Sequence, residues 1–188
     1  MPRIPVLPTL LVLAAAGVMV WLGFWQLRRL DEKEALLARY ASAQTTSEEV
    51  LWPRDKAAQE QLLYRRARID CAGAANRSSM AGHNAAGESG MAQTAECVLA
   101  DGSRALVVLG WSRMPMAGGD WNGGTLHGVI APGPRLVAEP SVAGLEANAI
   151  PDPSEIPNNH LAYAVQWFAF AVTALVIYAL ALVKRGRK

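Results

Sequence analysis

Residues 161–183 read LAYAVQWFAFAVTALVIYALALV and contain no charged side chain. Residues 4–27, IPVLPTLLVLAAAGVMVWLGFWQL, form a second run without charge. A helix needs about 20 apolar residues to cross the hydrocarbon core of a membrane, and both runs reach that length. As helices they can also satisfy all of their backbone hydrogen bonds internally. The sequence therefore predicts transmembrane helices at 6–27 and 160–183.

The composition separates the middle of the chain from these two runs. Of 188 residues, 52% are hydrophobic, with 18 Lys and Arg against 16 Asp and Glu. Residues 28–159 contain all 16 acidic side chains but only 13 of the basic ones, so the positive excess lies at Arg3 and in 184–188. Because no basic stripe crosses the middle region, nucleic acid is excluded as a partner. A domain of ordinary soluble composition is expected between the two helices, which themselves contact membrane lipid.

The orientation in the membrane follows from the basic residues near the helix ends. Residues 184–188 carry four positive charges, whereas none lies between 136 and 160, which predicts a cytoplasmic tail. The first helix favours the opposite direction, because Arg28, Arg29 and Lys33 follow it. The larger contrast at the tail places both termini, 1–5 and 184–188, in the cytoplasm. The first run could instead be a cleaved signal peptide, but its apolar stretch ends without a small-x-small cleavage site, which favours a retained anchor.

The middle region shows mainly β patterns. Alternation of polar and apolar residues predicts a strand at 66–71, and Asp101-Gly102 predicts a tight turn, with two φ > 0 positions, between strands at 97–100 and 103–109. Further strands are expected at 126–131 and 136–138. Helical periodicity at 27–44 predicts that the first helix continues beyond the membrane. The predicted fold is a membrane α+β protein, in which two transmembrane helices flank a small, mainly antiparallel β domain outside the cytoplasm at 28–139.

The remaining segments are expected to be irregular. Residues 76–93 are rich in Gly, Ala, Ser and Asn, which predicts a mobile loop, and 114–124, with four glycines, predicts another. Residues 140–159 contain several prolines and are expected to form a linker to the second helix.

Motifs of catalysis are absent from the sequence. It has no nucleophile elbow, zinc-protease, redox or phosphate-binding pattern, which favours a tethered module that is not an enzyme. Cys71 and Cys97, in predicted strands, either form a disulfide or remain two buried thiols. Met80, His83 and Met91, with Met114 and Met116 nearby in sequence, raise the alternative of a Cu(I) site, since thioether and imidazole suit that ion.

His160 opens the second apolar run and is the main candidate for binding. Tyr163 and Trp167 share its helix face, near the membrane–water boundary. A neutral imidazole beside flat aromatic rings can ligate haem iron. The alternative is an interfacial histidine bonded to water, with both aromatic residues as belt residues.

Several blocks resemble the surfeit locus protein family in order and spacing. They are LGFWQLRR at 22–29, YRRARI at 64–69, Gly110-Trp111 after Asp101-Gly102, and NNHLAYA at 158–164. The resemblance implies an assembly factor of cytochrome c oxidase in the bacterial inner membrane, with a periplasmic (or intermembrane-space) domain. It also implies subunit I and other assembly factors as partners, and haem a as a transient ligand of His160. A copper chaperone for the oxidase and a permanently bound accessory subunit are the alternatives. One departure is Val108-Leu109, where the family usually has Asn-Arg.

Overall fold

The computed structural model describes residues 5–46 and 48–186, in two compact units. One unit contains the described residues up to Leu37 and from Ile156 onward, and the other is Ala38–Glu155. Two long helices with short β strands between them confirm the predicted membrane α+β class. The elements are α1 (Val6–Thr45), β1 (Val50–Leu51), α2 (Lys56–Gln61), β2 (Arg66–Cys71), β3 (Gly73–His83), β4 (Ser89–Val98), β5 (Arg104–Ser112), β6 (Gly124–Ala131), β7 (Arg135–Ala138), a 3₁₀ turn (Pro153–Glu155) and α3 (His160–Gly186).

Large apolar side chains on both long helices are exposed within the first unit. Leu7 and Leu180, for example, are 70% and 65% exposed, and the buried residues are small ones: Ala16, Gly23, Ala164 and Ala171. Small residues where helices meet and large apolar ones elsewhere are typical of membrane helix pairs. Both helices are long and apolar enough to cross a membrane. As predicted, α1 also continues well beyond position 27, to Thr45.

The second unit contains one seven-stranded sheet in the order β1-β2-β6-β7-β5-β4-β3. Most neighbouring strands are antiparallel, and the β1–β2 and β5–β7 pairs are parallel. Only Ala72 separates β2 from β3, and its N–H donates to the carbonyl of Val98 at the end of β4 (2.8 Å). Since β2 pairs with β6 while β3 pairs with β4, this short connection joins strands that lie near opposite ends of the sheet order. Its core contains the large, fully buried side chains Trp111, Ile69, Leu109, Ile130 and Leu136.

Four of the predicted strands are present as β2, β5, β6 and β7, and β2 has the predicted alternation of exposed and buried residues. The turn predicted at Asp101-Gly102 differs in detail from the connection in the structure. The N–H of Leu99 donates to the carbonyl of Ser103, and of the two central residues only Gly102 has a positive φ. Asp101 instead accepts hydrogen bonds from the N–H and the hydroxyl of Ser103. The connection is therefore a longer loop than a two-residue turn with φ > 0 at both positions.

The prediction of a mobile loop at 76–93 is wrong. Most of this segment lies in the antiparallel β3–β4 hairpin, whose turn is fixed by Asn84, with its side-chain oxygen accepting from the N–H groups of Ala86 and Glu88. The small residues make room for a neighbour, since a Cβ at Gly90 would collide with the ring of Trp111. The Trp111 Nε1–H also donates to the carbonyl of Gly82 (3.3 Å). Composition thus indicated a loop where close packing requires small residues.

Residues 140–155, expected as part of a linker, belong to the same unit as the sheet. Glu146 exchanges both backbone hydrogen bonds with Trp111 on β5, and the N–H of Ala149 donates to the carbonyl of His83 on β3. The segment therefore has few regular elements of its own but is bonded to two strands.

Candidate functional site

The candidate site lies where α1 and α3 meet. A Cβ at Gly23 would lie 2.5 Å from the ring of Phe168, so the helices approach closely here. That ring packs edge to face on Phe24, with centroids 5.3 Å apart. On α3 the buried residues Ala164 and Ala171 line the contact. Small residues at this level bring side chains of one helix within hydrogen-bonding distance of the other.

His160 is the first residue of α3 and is half-buried. Its Nδ1 lies 2.7 Å from Oε1 of Gln26 on α1, 134 residues earlier in the chain. A carboxamide oxygen only accepts, so the imidazole donates through Nδ1. In the neutral ring the other nitrogen, Nε2, then carries the lone pair. Gln26 thus holds one ring nitrogen of His160, and the other ring nitrogen has no hydrogen-bond partner among residues 5–46 and 48–186.

The residues before His160 contain an unmet acceptor. The backbone carbonyl of Asn159 accepts from the N–H of Tyr163 (3.2 Å), which starts the helix. The side-chain oxygen of Asn158 is buried and has no hydrogen-bond partner among the described residues. Buried polar atoms are nearly always paired in native proteins. A polar edge of a bound molecule beside His160 would satisfy this oxygen.

Tyr163 and Trp167, predicted to share the helix face of His160, have other surroundings. Tyr163 is 50% exposed, and Ala164 occupies the buried position one turn after His160. The ring of Trp167 packs edge to face on Phe170, with centroids 6.1 Å apart. The hydrogen-bond partner of His160 comes instead from α1.

Gln26 is the residue that sequence reasoning missed. Between positions 4 and 27, apart from two tryptophans, only Thr9 and Gln26 have a side chain that can form hydrogen bonds. Thr9 bonds with the hydroxyl of Tyr178 on α3 (2.5 Å), so both polar residues of the run contact the other helix. Polar residues in membrane segments are costly and usually mark functional contacts, and this signal could have indicated Gln26.

In the β domain the methionine and histidine residues considered for copper do not share one face. Met80 pairs with Ala92 and Ala81 with Met91, so neighbouring positions of β3 put Met80 and Met91 on opposite faces of the hairpin. His83, two residues after Ala81, is on the face of Met91. Across residues 5–46 and 48–186, no group of three or more His, Cys, Asp or Glu side chains could hold a metal ion.

Cys71 and Cys97 form a disulfide in the structure, with their Cα atoms 5.2 Å apart. Both are buried, at the end of β2 and near the end of β4. The bond lies beside the β2–β3 connection, since Cys97 pairs with Ala74, two residues after Ala72. It therefore links β2 to β4, which are not neighbours in the sheet order.

Glu96 and Tyr64 are two of the titratable groups of the β domain whose pKa values are shifted. Hydrogen bonds from Asn76 (2.9 Å) and Arg104 (2.7 Å) lower the pKa of Glu96 below its ordinary value of 4.5. Burial, followed by charge repulsion from the ionised hydroxyl of Tyr40, raises the pKa of Tyr64 above 10.0; the centroids of the two rings lie 4.7 Å apart.

Comparison with known protein families identifies the relationship of the chain. The model of the SURF1 family matches residues 13–172, which include the α1–α3 contact with Gln26 and His160 as well as the whole sheet. The chain belongs to the SURF1 family. This membership confirms the predicted resemblance, and the SURF1 family is a family of cytochrome c oxidase assembly factors. No curated protein sequence matches the chain.

Proposed function

We propose that this SURF1-family protein assists the insertion of haem a into subunit I of a haem-copper cytochrome c oxidase, or stabilises that subunit. The observation that carries the proposal is the arrangement of His160, whose Nδ1 is bonded to Gln26 so that Nε2 is free as a ligand. His160 would hold haem a, which would supply an iron that a neutral imidazole can ligate. The protein holds and transfers the cofactor and catalyses no reaction of its own.

The residues around His160 support this role. A half-buried histidine on a membrane helix is near the depth at which an amphiphilic porphyrin would lie. The unpaired oxygen of Asn158 offers an acceptor to a hydroxyl group of such a ligand. Exposed apolar side chains of α1 and α3 give lipid or a membrane-embedded partner, such as subunit I, a surface to contact.

The proposed location is the bacterial inner membrane, with both termini in the cytoplasm and the β domain in the periplasm. Lys184 and Arg185 in the last turn of α3 support a cytoplasmic end. A disulfide in the β domain persists in the periplasm but not in the reducing cytoplasm. Trypsin added to spheroplasts should digest the β domain in this orientation, and the opposite orientation would protect it until the membrane is dissolved.

Haem binding is tested by co-expressing the chain with enzymes of haem a synthesis and purifying it in detergent. We expect the haem a spectrum in the wild type and a loss of most of it in His160→Ala. His83→Ala is the matched control, because His83 is exposed at the end of β3 and its replacement should leave the spectrum unchanged. Equal haem in the wild type and His160→Ala would exclude His160 as the ligand. A wild type without haem would contradict haem binding altogether.

A further inference from the structure

We propose that Gln26 is a positioning residue, which fixes the tautomer and orientation of His160 so that Nε2 is the nitrogen presented to iron. This inference rests on the proposed function, since it concerns the same site. Its physical basis is one interhelical hydrogen bond, 2.7 Å from Gln26 Oε1 to His160 Nδ1.

The bond sets the proton position. Because the carboxamide oxygen only accepts, it is satisfied only while Nδ1 carries a proton. A neutral imidazole has one ring proton, so Nε2 is left unprotonated. The amide therefore selects, before any ligand arrives, the tautomer that can coordinate through Nε2.

The bond also limits the rotation of the ring. His160 lies on α3 and Gln26 on α1, so the imidazole of His160 is fixed by a hydrogen bond to a different helix. Gly23, one turn before Gln26, allows the close approach that the bond needs, because a larger residue there would collide with Phe168. A fixed ring loses less conformational freedom on binding than a mobile one.

Hydrogen-bond acceptors on metal-ligating histidines raise the basicity of the ligating nitrogen, and their loss typically weakens metal binding about 10- to 100-fold. Replacing Gln26 with the apolar, similarly sized leucine should therefore weaken haem a binding by about that factor. Glu, which keeps an acceptor oxygen, should retain binding and strengthen the bond between iron and His160.

The test has two parts, both on the full chain in detergent. The first uses ¹⁵N-histidine labelling without haem. The chain has 3 histidines, so the signals of His160 are assigned by their loss in His160→Ala. We expect the wild type to show a protonated Nδ1 and an unprotonated Nε2. In Gln26→Leu we expect a mixture of tautomers. A wild type protonated at Nε2 would overturn the proposal whatever haem does.

The second part titrates each variant with haem a and records the iron–histidine stretching frequency by resonance Raman spectroscopy. Gln26→Leu should bind about 10- to 100-fold more weakly with a lowered frequency, and Gln26→Glu should bind well with a raised one. Gln166→Leu is the matched control, since it removes an exposed amide from α3 and should bind as the wild type does.

The two parts separate the failure of this inference from that of the proposed function. If the wild type binds haem a through His160 and Gln26→Leu binds equally tightly with the same frequency, the positioning role is wrong while the proposed function stands. If the wild type binds no haem a, the proposed function fails and the iron-directed role of Gln26 fails with it, whatever tautomer is found.

Discussion

The disulfide between Cys71 and Cys97 gives the most quantitative prediction for the β domain. The change is the double variant Cys71→Ala, Cys97→Ala in the full chain. Both side chains are buried, and alanine at these positions has no polar atom that would need a hydrogen-bond partner. The bond joins β2 to β4 across 26 positions of sequence, so its removal frees a long stretch of chain in the unfolded state.

The magnitude follows from the loop that the bond closes. The cysteines are 26 positions apart, for which the loop-entropy relation gives about 3.5 kcal/mol at 25 °C. This is a large part of the roughly 5–15 kcal/mol that stabilises an ordinary domain. Urea slopes of about 1–3 kcal/mol per M convert it into a shift of the unfolding midpoint of about 1.2–3.5 M.

The assay is pulse proteolysis of the detergent-solubilised chain in urea, in which a short trypsin pulse cleaves unfolded β domain at its basic residues. We expect a reducing agent to lower the midpoint of the wild type to that of the double variant, and to leave the variant unchanged. A wild-type midpoint that reductant does not move, or a variant as stable as the oxidised wild type, would refute the reasoning.

Three further predictions concern other parts of the chain. Gly23→Val should lower the melting temperature in detergent, because its side chain meets Phe168 and overpacking costs about 1–3 kcal/mol. Gly17→Val, with open space around its Cβ, should not, and equal melting temperatures would contradict the packing of α1 on α3. Glu96, with its lowered pKa, stabilises the fold above pH 4.5, and this contribution disappears as the pH falls through its folded pKa. In urea titrations, Glu96→Gln should therefore lower the free energy of unfolding more at pH 7 than at pH 3. Tyr64, with its raised pKa, favours the fold fully below pH 10, and this contribution is lost as the pH rises through its folded pKa. Tyr64→Phe should therefore move alkaline unfolding, measured by circular dichroism, to higher pH. An unchanged transition would contradict burial of the hydroxyl.

The elements with strong periodic or charge signals were predictable from the sequence. A long apolar run without charge can be recognised as a candidate membrane helix without any knowledge of tertiary contacts. The helix predicted at 160–183 accordingly begins at His160 in the structure. The alternation of polar and apolar residues in β2 similarly indicates that one face of the strand is buried. The β3–β4 hairpin was not predictable, because its small residues satisfy a contact with Trp111 that lies in a later strand.

The site was predictable only in part, for the same physical reason. His160 marks a border in the charge pattern, so the sequence indicates it directly. Its partner, Gln26, lies 134 residues away, and no local pattern encodes which residues of two helices meet. The face of Met80 likewise depends on strand register, which follows from pairing with β4 rather than from spacing.

The haem a content of the oxidase itself tests the central claim most directly. The measurement compares cells whose only copy of this chain is the wild type or His160→Ala, with equal amounts of chain verified in the membrane. Subunit I is then purified and its haem a is quantified spectroscopically. We predict that oxidase from the His160→Ala cells contains clearly less haem a per subunit I. Equal haem a content in the two preparations would contradict the account.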